Sequence, residues 1–298
     1  MQARSITLLD TADIITTRRG NMEICNHFAF NIYLHPKALN FVNSEKIECK
    51  CEEDLCVVDI SENNPQWHEL SRVLKSENIP YLSETKFDKN ELFSAEWLTL
   101  RSKWNYDYPQ PENEYSKFTY TEDMLCLNRD CGIELTQKDC FRFKRTPKWG
   151  KRNFCMTNWV SDELFISTKA KELLKGSDLT GFLFWEVKNK SGKENLNDIY
   201  QLKLPFVLNE GVANFTSRIN GIFVCPVCGK QKIQPTGRGQ YIFKKEVFAN
   251  APDFVKSAEW FGAAASAHRL ILVSQKAHRF IKENKLDSSL VFEPVKLV

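Results

Sequence analysis

Two close cysteine pairs are the residues of this chain whose type and spacing best suit chemistry. Cys126 pairs with Cys131 and Cys225 pairs with Cys228, and a glycine follows each pair. A two-residue gap, as in the second pair, lets both thiolates point at one metal ion, and the glycine lets the backbone turn toward the sulfurs. Four thiolates fill the tetrahedral coordination of Zn²⁺, so the four cysteines predict a structural zinc site without catalytic chemistry.

The distance between the pairs along the chain defines what kind of site this is. About 93 residues separate them, whereas a compact zinc ribbon has about 15–20 between its pairs. The predicted site is therefore a clasp that ties two distant segments together. The alternative is that these four cysteines are buried or free thiols.

A second group of cysteines lies in the segment KIECKCEEDLCVVDI, where Cys49, Cys51 and Cys56 fall within eight residues. They could hold a second metal ion, with Cys25 or His27 completing the site. A one-residue spacing is poor geometry for a metal knuckle, so we favour plain strand or turn cysteines.

Catalytic motifs are absent from the sequence. It contains no nucleophile elbow, phosphate loop, dinucleotide fingerprint, zinc-protease helix or kinase motif. The histidines are scattered, and His278 is expected to be an exposed helix residue. No carboxylate pair suited to acid–base work stands out among the 38 acidic residues. We therefore expect a protein that is not an enzyme and has no catalytic residue.

Length and composition set the class of protein. The 298 residues suggest about two domains, and 42% hydrophobic with 27% charged residues is ordinary for a globular chain. No apolar run approaches the roughly 20 residues that span a bilayer, and the N-terminus lacks the pattern of a secretory signal. We expect a cytoplasmic protein without a membrane partner.

Charge is divided unevenly along the chain. Residues 1–120 carry 13 Lys and Arg against 19 Asp and Glu, whereas residues 121–298 carry 28 against 19. The segment 142–152 contains six cations, two aromatic residues and no acid, and could hold a nucleic-acid backbone, although we favour a solvated hairpin. The acidic stretch 45–54 is either solvated surface or a face for a basic partner.

Two α+β lobes are predicted from these patterns. The polar, proline-containing stretch 106–115 sets the boundary, so that residues 1–115 form an N-terminal lobe, with a flexible tail over 1–20, and residues 116–298 form the zinc-clasped domain. In the N-terminal lobe we expect strands within 23–60, a helix that starts near Pro65, and a second helix near 89–104.

The C-terminal lobe contains a pair of similar segments, 164–186 and 271–293, which align without gaps at an offset of 107. Each segment is predicted to form a strand, a helix capped by Ser167 or Ser274, a short loop and a second strand. A cysteine pair lies upstream of each segment. The lobe is therefore predicted to be a pseudo-duplicated unit whose two knuckles meet at one zinc ion.

These segments follow one another in a set order: a cysteine knuckle, then WVSDELFISTKAKELLKGSDLTGFLFWEV, then the CPVCG knuckle, then SAEWFGAAASAHRLILVSQKAHRFIKENKLDSSLVFEPV. Over about residues 120–298 this order resembles the double-CXXCG motif proteins of bacterial toxin–immunity loci, which are related to the immunity proteins of polymorphic toxin systems. The first knuckle departs from that motif, since four residues lie between its cysteines.

The resemblance implies a cytoplasmic immunity protein that neutralises a cognate protein toxin by direct binding. It carries the zinc ligands over to Cys126, Cys131, Cys225 and Cys228, and it carries over no catalytic residue. Either the acidic N-terminal strands or the aromatic segment around Trp97 and Trp104 would cover the toxin. The alternative function is a zinc-stabilised nucleic-acid-binding protein that uses the basic segment 142–152.

Overall fold

The computed structural model describes residues 22–121, 131–133, 135–213, 218–262 and 266–298. The tail predicted over 1–20 and Cys126 lie outside these ranges. Within them the chain forms the helices Pro36–Ser44 (α1), Trp67–Ser76 (α2), Lys89–Ser94 (α3), Tyr115–Thr119 (α4), Thr168–Lys175 (α5) and Gln275–Glu283 (α6).

Sixteen strands and two short 3₁₀ helices, Lys245–Phe248 and Asp287–Ser289, complete the regular structure of the described residues, which confirms the predicted mixed α+β class. The strands are Glu23–Asn31 (β1), Cys49–Glu52 (β2), Leu55–Ser61 (β3), Leu82–Lys86 (β4), Trp97–Ser102 (β5), Arg142–Phe143 (β6), Phe154–Thr157 (β7), Val160–Ile166 (β8), Leu183–Asn189 (β9), Asn195–Lys203 (β10), Ile219–Val224 (β11), Gln231–Pro235 (β12), Ile242–Phe243 (β13), Phe254–Lys256 (β14), Ile271–Ser274 (β15) and Leu290–Leu297 (β16).

The N-terminal sheet has the antiparallel order β2-β3-β1-β4, and α1 and α2 connect its strands in a β-α-β-β-α-β sequence. This is the ferredoxin-like arrangement. Alternation along β1 buries Phe28 and Phe30, and helical spacing in α2 buries Leu70 and Leu74 on one face. The predicted strands and the helix after Pro65 are confirmed, and α1 is an element that the sequence patterns did not indicate.

Two five-stranded sheets form the rest of the core. The first sheet has the order β6-β9-β10-β8-β7, and the second has the order β13-β16-β5-β15-β14. In each sheet the short first strand pairs in parallel and all other neighbours pair antiparallel. The four strands around the central one thus follow the same order in both sheets, whereas the central strand is β10, the last along the chain, in the first sheet and β5, the first along the chain, in the second.

The segment 89–104 differs from its prediction. The structure ends α3 at Ser94 and forms β5 over Trp97–Ser102, whereas the sequence predicted one helix. Four consecutive residues, Trp97 to Leu100, are buried because both faces of β5 are covered, so no strand alternation is visible. As the central strand of the second sheet, β5 pairs with the C-terminal strands. The boundary at 115/116 stays a prediction.

Ser167 and Ser274 begin α5 and α6 as predicted. The hydroxyl of Ser167 accepts a hydrogen bond from the Ala170 backbone N–H, and that of Ser274 accepts one from the Ala277 N–H. The two helices bury apolar faces in one core that both five-stranded sheets share. The helices therefore hold the two sheets together.

A glycine loop joins the N-terminal sheet to the remainder of the molecule. Gly237 lies so close to β4 that a Cβ atom there would overlap the Ser83 carbonyl oxygen. The Thr85 hydroxyl donates to the Gly237 carbonyl over 2.9 Å, and Arg238 forms a bidentate ion pair with Glu62. The loop therefore fixes the N-terminal sheet against the second half of the chain.

Candidate metal centre

The second knuckle lies in the turn between β11 and β12. Cys225 and Cys228 occupy this turn, and Gly229 closes it with a positive φ of 71°. The Gly229 N–H donates to the Cys225 carbonyl over 2.9 Å, and the Cys225 N–H donates to the Lys230 carbonyl over 2.8 Å. Because glycine adopts positive φ without steric cost, the tight turn brings both sulfurs to one side of the ribbon.

Cys131 reaches this knuckle from the distant first pair. The Sγ atoms of Cys131, Cys225 and Cys228 all lie within 4.8 Å of one another, and those of Cys131 and Cys228 are 3.7 Å apart. Zinc–sulfur bonds of about 2.3 Å place tetrahedral sulfurs about 3.8 Å apart. The three thiols therefore fit the geometry of a metal centre, and the fourth predicted ligand, Cys126, lies outside the described residues.

In the described part of the chain, apolar side chains and one buried cation lie beside the three sulfurs. Cys131 and Cys225 are buried together with Ile133, and Trp260 packs beside them. Lys232 is fully buried, and its ammonium donates to the Cys131 carbonyl over 3.0 Å. A zinc ion with four thiolates is an anionic cluster, and a buried ammonium beside it stabilises that charge.

The donor set indicates which metals the centre can hold. Thiolates are soft ligands that prefer zinc, Cu(I) or iron–sulfur clusters over magnesium or calcium. When all four positions are filled by cysteine, no position remains for water or substrate. Such a metal would have a structural role, because it would link Cys131 to Cys228, which is 97 residues further along the chain.

The second cysteine group lies on the hairpin β2–β3. Its three sulfurs also lie within 4.8 Å of one another, so they too could hold a metal ion. In the structure, Cys51 and Cys56 face each other across the strands and form a disulfide, while the Cys49 thiol lies 3.7 Å from the Cys51 sulfur. Metal binding by all three sulfurs would therefore require the disulfide to be reduced.

The aromatic residues of the basic segment 142–152 are not available for base stacking. Phe143 and Trp149 are buried in the core beside the first five-stranded sheet. Three of the cations also have partners: Arg142 pairs with Asp139, Lys144 contacts Asp107 and Glu112, and Arg152 stacks on Trp104. The remaining cations, Arg145, Lys148 and Lys151, are solvent-exposed, and nucleic-acid binding by this segment stays a prediction.

A buried charged network was not anticipated from the sequence. Glu163 of β8 accepts a hydrogen bond from Lys256 of β14 over 2.7 Å and another from Gln201 over 2.7 Å, and Lys256 also contacts Asp162 at 3.3 Å. Burial opposes the charge on Lys256, but the two carboxylates outweigh it and raise the pKa of this lysine. The sequence feature that could have indicated this network is the pair Asp162 and Glu163, which interrupts the otherwise apolar strand VSDELFI.

Comparison of the chain with protein-family models finds no matching family, and a search of curated proteins finds no match either.

No helix of the described residues combines the length and the apolar character that crossing a bilayer requires.

Proposed function

We propose that the protein is a non-enzymatic bacterial immunity protein that acts in the cytoplasm and neutralises a cognate protein toxin by direct binding. The resemblance to double-CXXCG proteins of polymorphic toxin systems supports this function. The observation that carries it is an exposed face at one end of the N-terminal sheet, called here the hairpin-tip face. It consists of Tyr33, Leu34, Glu52, Glu53, Asp54 and Leu55.

One side chain holds the hairpin-tip face together. Asn31 donates from its amide to the Asp54 carboxylate over 2.7 Å, and its amide oxygen accepts from the backbone N–H groups of Tyr33 and Leu34. Tyr33 and Leu34 are 77% and 74% exposed, and Leu55 is 47% exposed. The turn before α1 and the tip of the β2–β3 hairpin therefore present one continuous surface.

The composition of this face is suited to a basic protein partner. Contiguous exposed apolar side chains mark interaction sites, because they gain free energy when a partner removes them from water. The three neighbouring carboxylates are solvent-exposed, which favours rapid encounter with a positively charged surface. The alternative segment offers less exposed aromatic surface, since Trp97 is buried and Trp104 is half-buried, and both indoles pack against neighbouring aromatic rings.

The metal centre has a supporting role in this proposal. We propose that it binds zinc through Cys126, Cys131, Cys225 and Cys228 and clasps the C-terminal lobe of a two-lobed molecule. The shared strand order of the two five-stranded sheets and the matching serine caps support an internal duplication, in which β5 takes the central place in the second copy that β10 takes in the first.

Binding of the toxin is tested with the protein encoded by the neighbouring gene. The toxin is co-expressed with the unmodified chain, with Leu34→Ala, or with Leu82→Ala as a matched control. Leu82 is 75% exposed and lies on β4, at the opposite edge of the same sheet. We expect Leu34→Ala to lose at least tenfold in toxin affinity and to weaken growth rescue, whereas Leu82→Ala behaves as the unmodified chain.

Two results would contradict this proposal. Growth arrest in cells that contain ample folded protein would exclude neutralisation of that toxin. Equal loss of binding in the Leu34→Ala and Leu82→Ala variants, or no loss in either, would exclude the hairpin-tip face. Charge reversal at Glu52 and Glu53 provides a second readout, since it should slow association at low salt and reverse the effect of added salt on the association rate.

A further inference from the structure

The three cysteines of the β2–β3 hairpin share one face of the N-terminal sheet. Cys51 pairs directly with Cys56 across the two strands, and Cys49 pairs with Val58. Residues opposite each other in an antiparallel pair point to the same face, as do residues two positions apart along a strand. Cys56 in turn pairs with Phe30 of β1, and both are buried. Since β2 is an edge strand, the three sulfurs meet at the edge of the sheet on its buried side.

Neither Cys25 nor His27 completes this cluster. Both lie an odd number of positions from Phe30 along β1, so their side chains are on the opposite face of the sheet. The His27 imidazole is instead hydrogen-bonded to the Asp59 carboxylate over 2.7 Å. In the described part of the chain, no further thiol, imidazole or carboxylate lies within 4.8 Å of all three sulfurs. The remaining residues of the sequence contain no histidine and one cysteine, Cys126, which is predicted for the metal centre at Cys131.

The geometry of the cluster suits a metal ion with three sulfur ligands. The Sγ atoms of Cys49 and Cys51 are 3.7 Å apart, and all three sulfurs lie within 4.8 Å of one another. A metal–sulfur bond of about 2.3 Å places sulfurs in a trigonal plane about 4.0 Å apart. Zinc in structural sites takes four ligands, whereas Cu(I) is a soft ion that accepts three thiolates. Three thiolates without a fourth protein ligand therefore favour Cu(I).

A disulfide between Cys51 and Cys56 determines how many thiols the cluster offers, and in this form Cys49 is the free thiol of the three. Reduction by a low-molecular-weight thiol frees the other two. Cys51 is solvent-exposed, so the first thiolate attacks its sulfur and forms a mixed disulfide, while Cys56 leaves with the electron pair and takes up a proton. A second thiolate attacks the small-molecule sulfur of the mixed disulfide, forms the oxidised thiol dimer and releases Cys51 as a thiol.

We propose that the reduced cluster binds a Cu(I) ion through Cys49, Cys51 and Cys56, and that disulfide exchange with an oxidised low-molecular-weight thiol closes the site. Binding replaces three S–H bonds by three Cu–S bonds and releases three protons. The complex is anionic, and the exposure of Cys51 lets water solvate its charge. The proposal does not rest on toxin binding, because metal uptake is measured without a toxin.

Anaerobic titration with Cu(I) tests the site on the full-length protein after reduction and removal of the reducing thiol. Bicinchoninate, a chelator whose Cu(I) complex is coloured, retains copper that the protein binds weakly and reports how much the protein withdraws. The chains compared are the unmodified protein, the double variant Cys49→Ser/Cys51→Ser and the matched double variant Cys25→Ser/Cys140→Ser. All of them retain the four cysteines predicted for the metal centre, so copper bound there is the same in each.

We expect the unmodified protein to withdraw about one Cu(I) ion per chain more than Cys49→Ser/Cys51→Ser. Cys25→Ser/Cys140→Ser should match the unmodified protein, because neither residue belongs to a cysteine cluster of the described residues. After treatment with oxidised glutathione, which re-forms the Cys51–Cys56 disulfide, the difference between the unmodified protein and Cys49→Ser/Cys51→Ser should disappear.

Several outcomes would overturn the assignment. Equal copper uptake by the unmodified protein and by Cys49→Ser/Cys51→Ser would exclude the cluster, and a difference that survives the glutathione treatment would exclude its redox control. Release of this copper by an equal amount of Zn²⁺ would exclude Cu(I) as the occupant. If the double variant does not fold, Cys51→Ser, at the exposed position, replaces it. That variant leaves two thiols and should lower the affinity for Cu(I) at least about tenfold, and unchanged affinity would contradict a site with three ligands.

Discussion

Loss of one cysteine at the metal centre should destabilise the chain far more than loss of a cysteine elsewhere. Cys228→Ser removes a candidate metal ligand whose sulfur lies 3.7 Å from that of Cys131, across 97 residues of sequence. Cys140→Ser is the matched control, because Cys140 is also a half-buried free thiol but lies outside both cysteine clusters. The comparison separates metal binding from the general effect of replacing sulfur by oxygen.

The size of the effect follows from the long-range link. A cross-link that closes a loop of about 100 residues removes chain entropy worth about 4.7 kcal/mol from the unfolded state. Structural zinc in small peptides binds with an apparent free energy of about 10–16 kcal/mol. This binding free energy exceeds the chain-entropy cost of closing the loop, so a bound zinc ion could maintain the cross-link. We expect Cys228→Ser to lower the free energy of unfolding by about 4 kcal/mol, which corresponds to roughly 8–16 °C in melting temperature.

Metal analysis and denaturation test this expectation together. Protein purified without added zinc should contain about one metal ion per chain, and Cys228→Ser should contain much less. A zinc chelator should lower the melting temperature of the unmodified chain and of Cys140→Ser, but not that of Cys228→Ser. Well-folded protein without metal, or equal stability of the two variants, would refute the reasoning.

Two further predictions concern buried ionisable groups. Glu163→Gln removes one of the two carboxylates beside Lys256 and leaves Asp162, 3.3 Å away, as its charged partner among the described residues. Urea denaturation should show a loss of about 3 kcal/mol in the free energy of unfolding, and unchanged stability would contradict the buried pair. Burial lowers the pKa of His278 to about 4, whereas an unfolded histidine titrates near 6.5. Between about pH 6.5 and pH 4, His278 is protonated in the unfolded chain but not in the folded chain. Acidification through this range should therefore lower the free energy of unfolding, by at most about 1.4 kcal/mol per pH unit. His278→Leu should reduce this slope, and an unchanged slope would contradict the burial of His278.

Local signals in the sequence were sufficient for several elements. The serine caps of α5 and α6 were identified because a capping hydroxyl followed by helical spacing is a short-range pattern. The Cys225–Cys228 turn was identified for the same reason. The convergence of Cys131 on that turn could be expected only as a hypothesis, since nothing local joins residues so far apart.

Tertiary contacts decided the features that the sequence patterns missed. His278 was predicted to be exposed, since the equivalent position in the other copy is Lys171. The structure buries it, because Phe93 of α3 and Phe292 of β16 pack against its ring at 5.3 and 4.7 Å. Lys171 instead extends over the Tyr200 ring. Because α3 covers only one of the two helices, equivalent sequence positions acquire different surroundings.

The metal centre adjoins a cavity of about 1170 Å³ that Lys203, Glu163 and Trp260 line. The two features share structural elements, so the stability of the centre affects the shape of the cavity. Trp260 packs against the cysteine cluster and also lines the cavity, and Gly132, which follows Cys131 directly, lines it as well. A metal that holds Cys131 to the β11–β12 turn therefore also fixes one side of the cavity. The other side is fixed by the Glu163–Lys256 pair, which joins the first sheet to the second. The cavity thus depends on two independent links between distant segments, one through sulfur and one through charge.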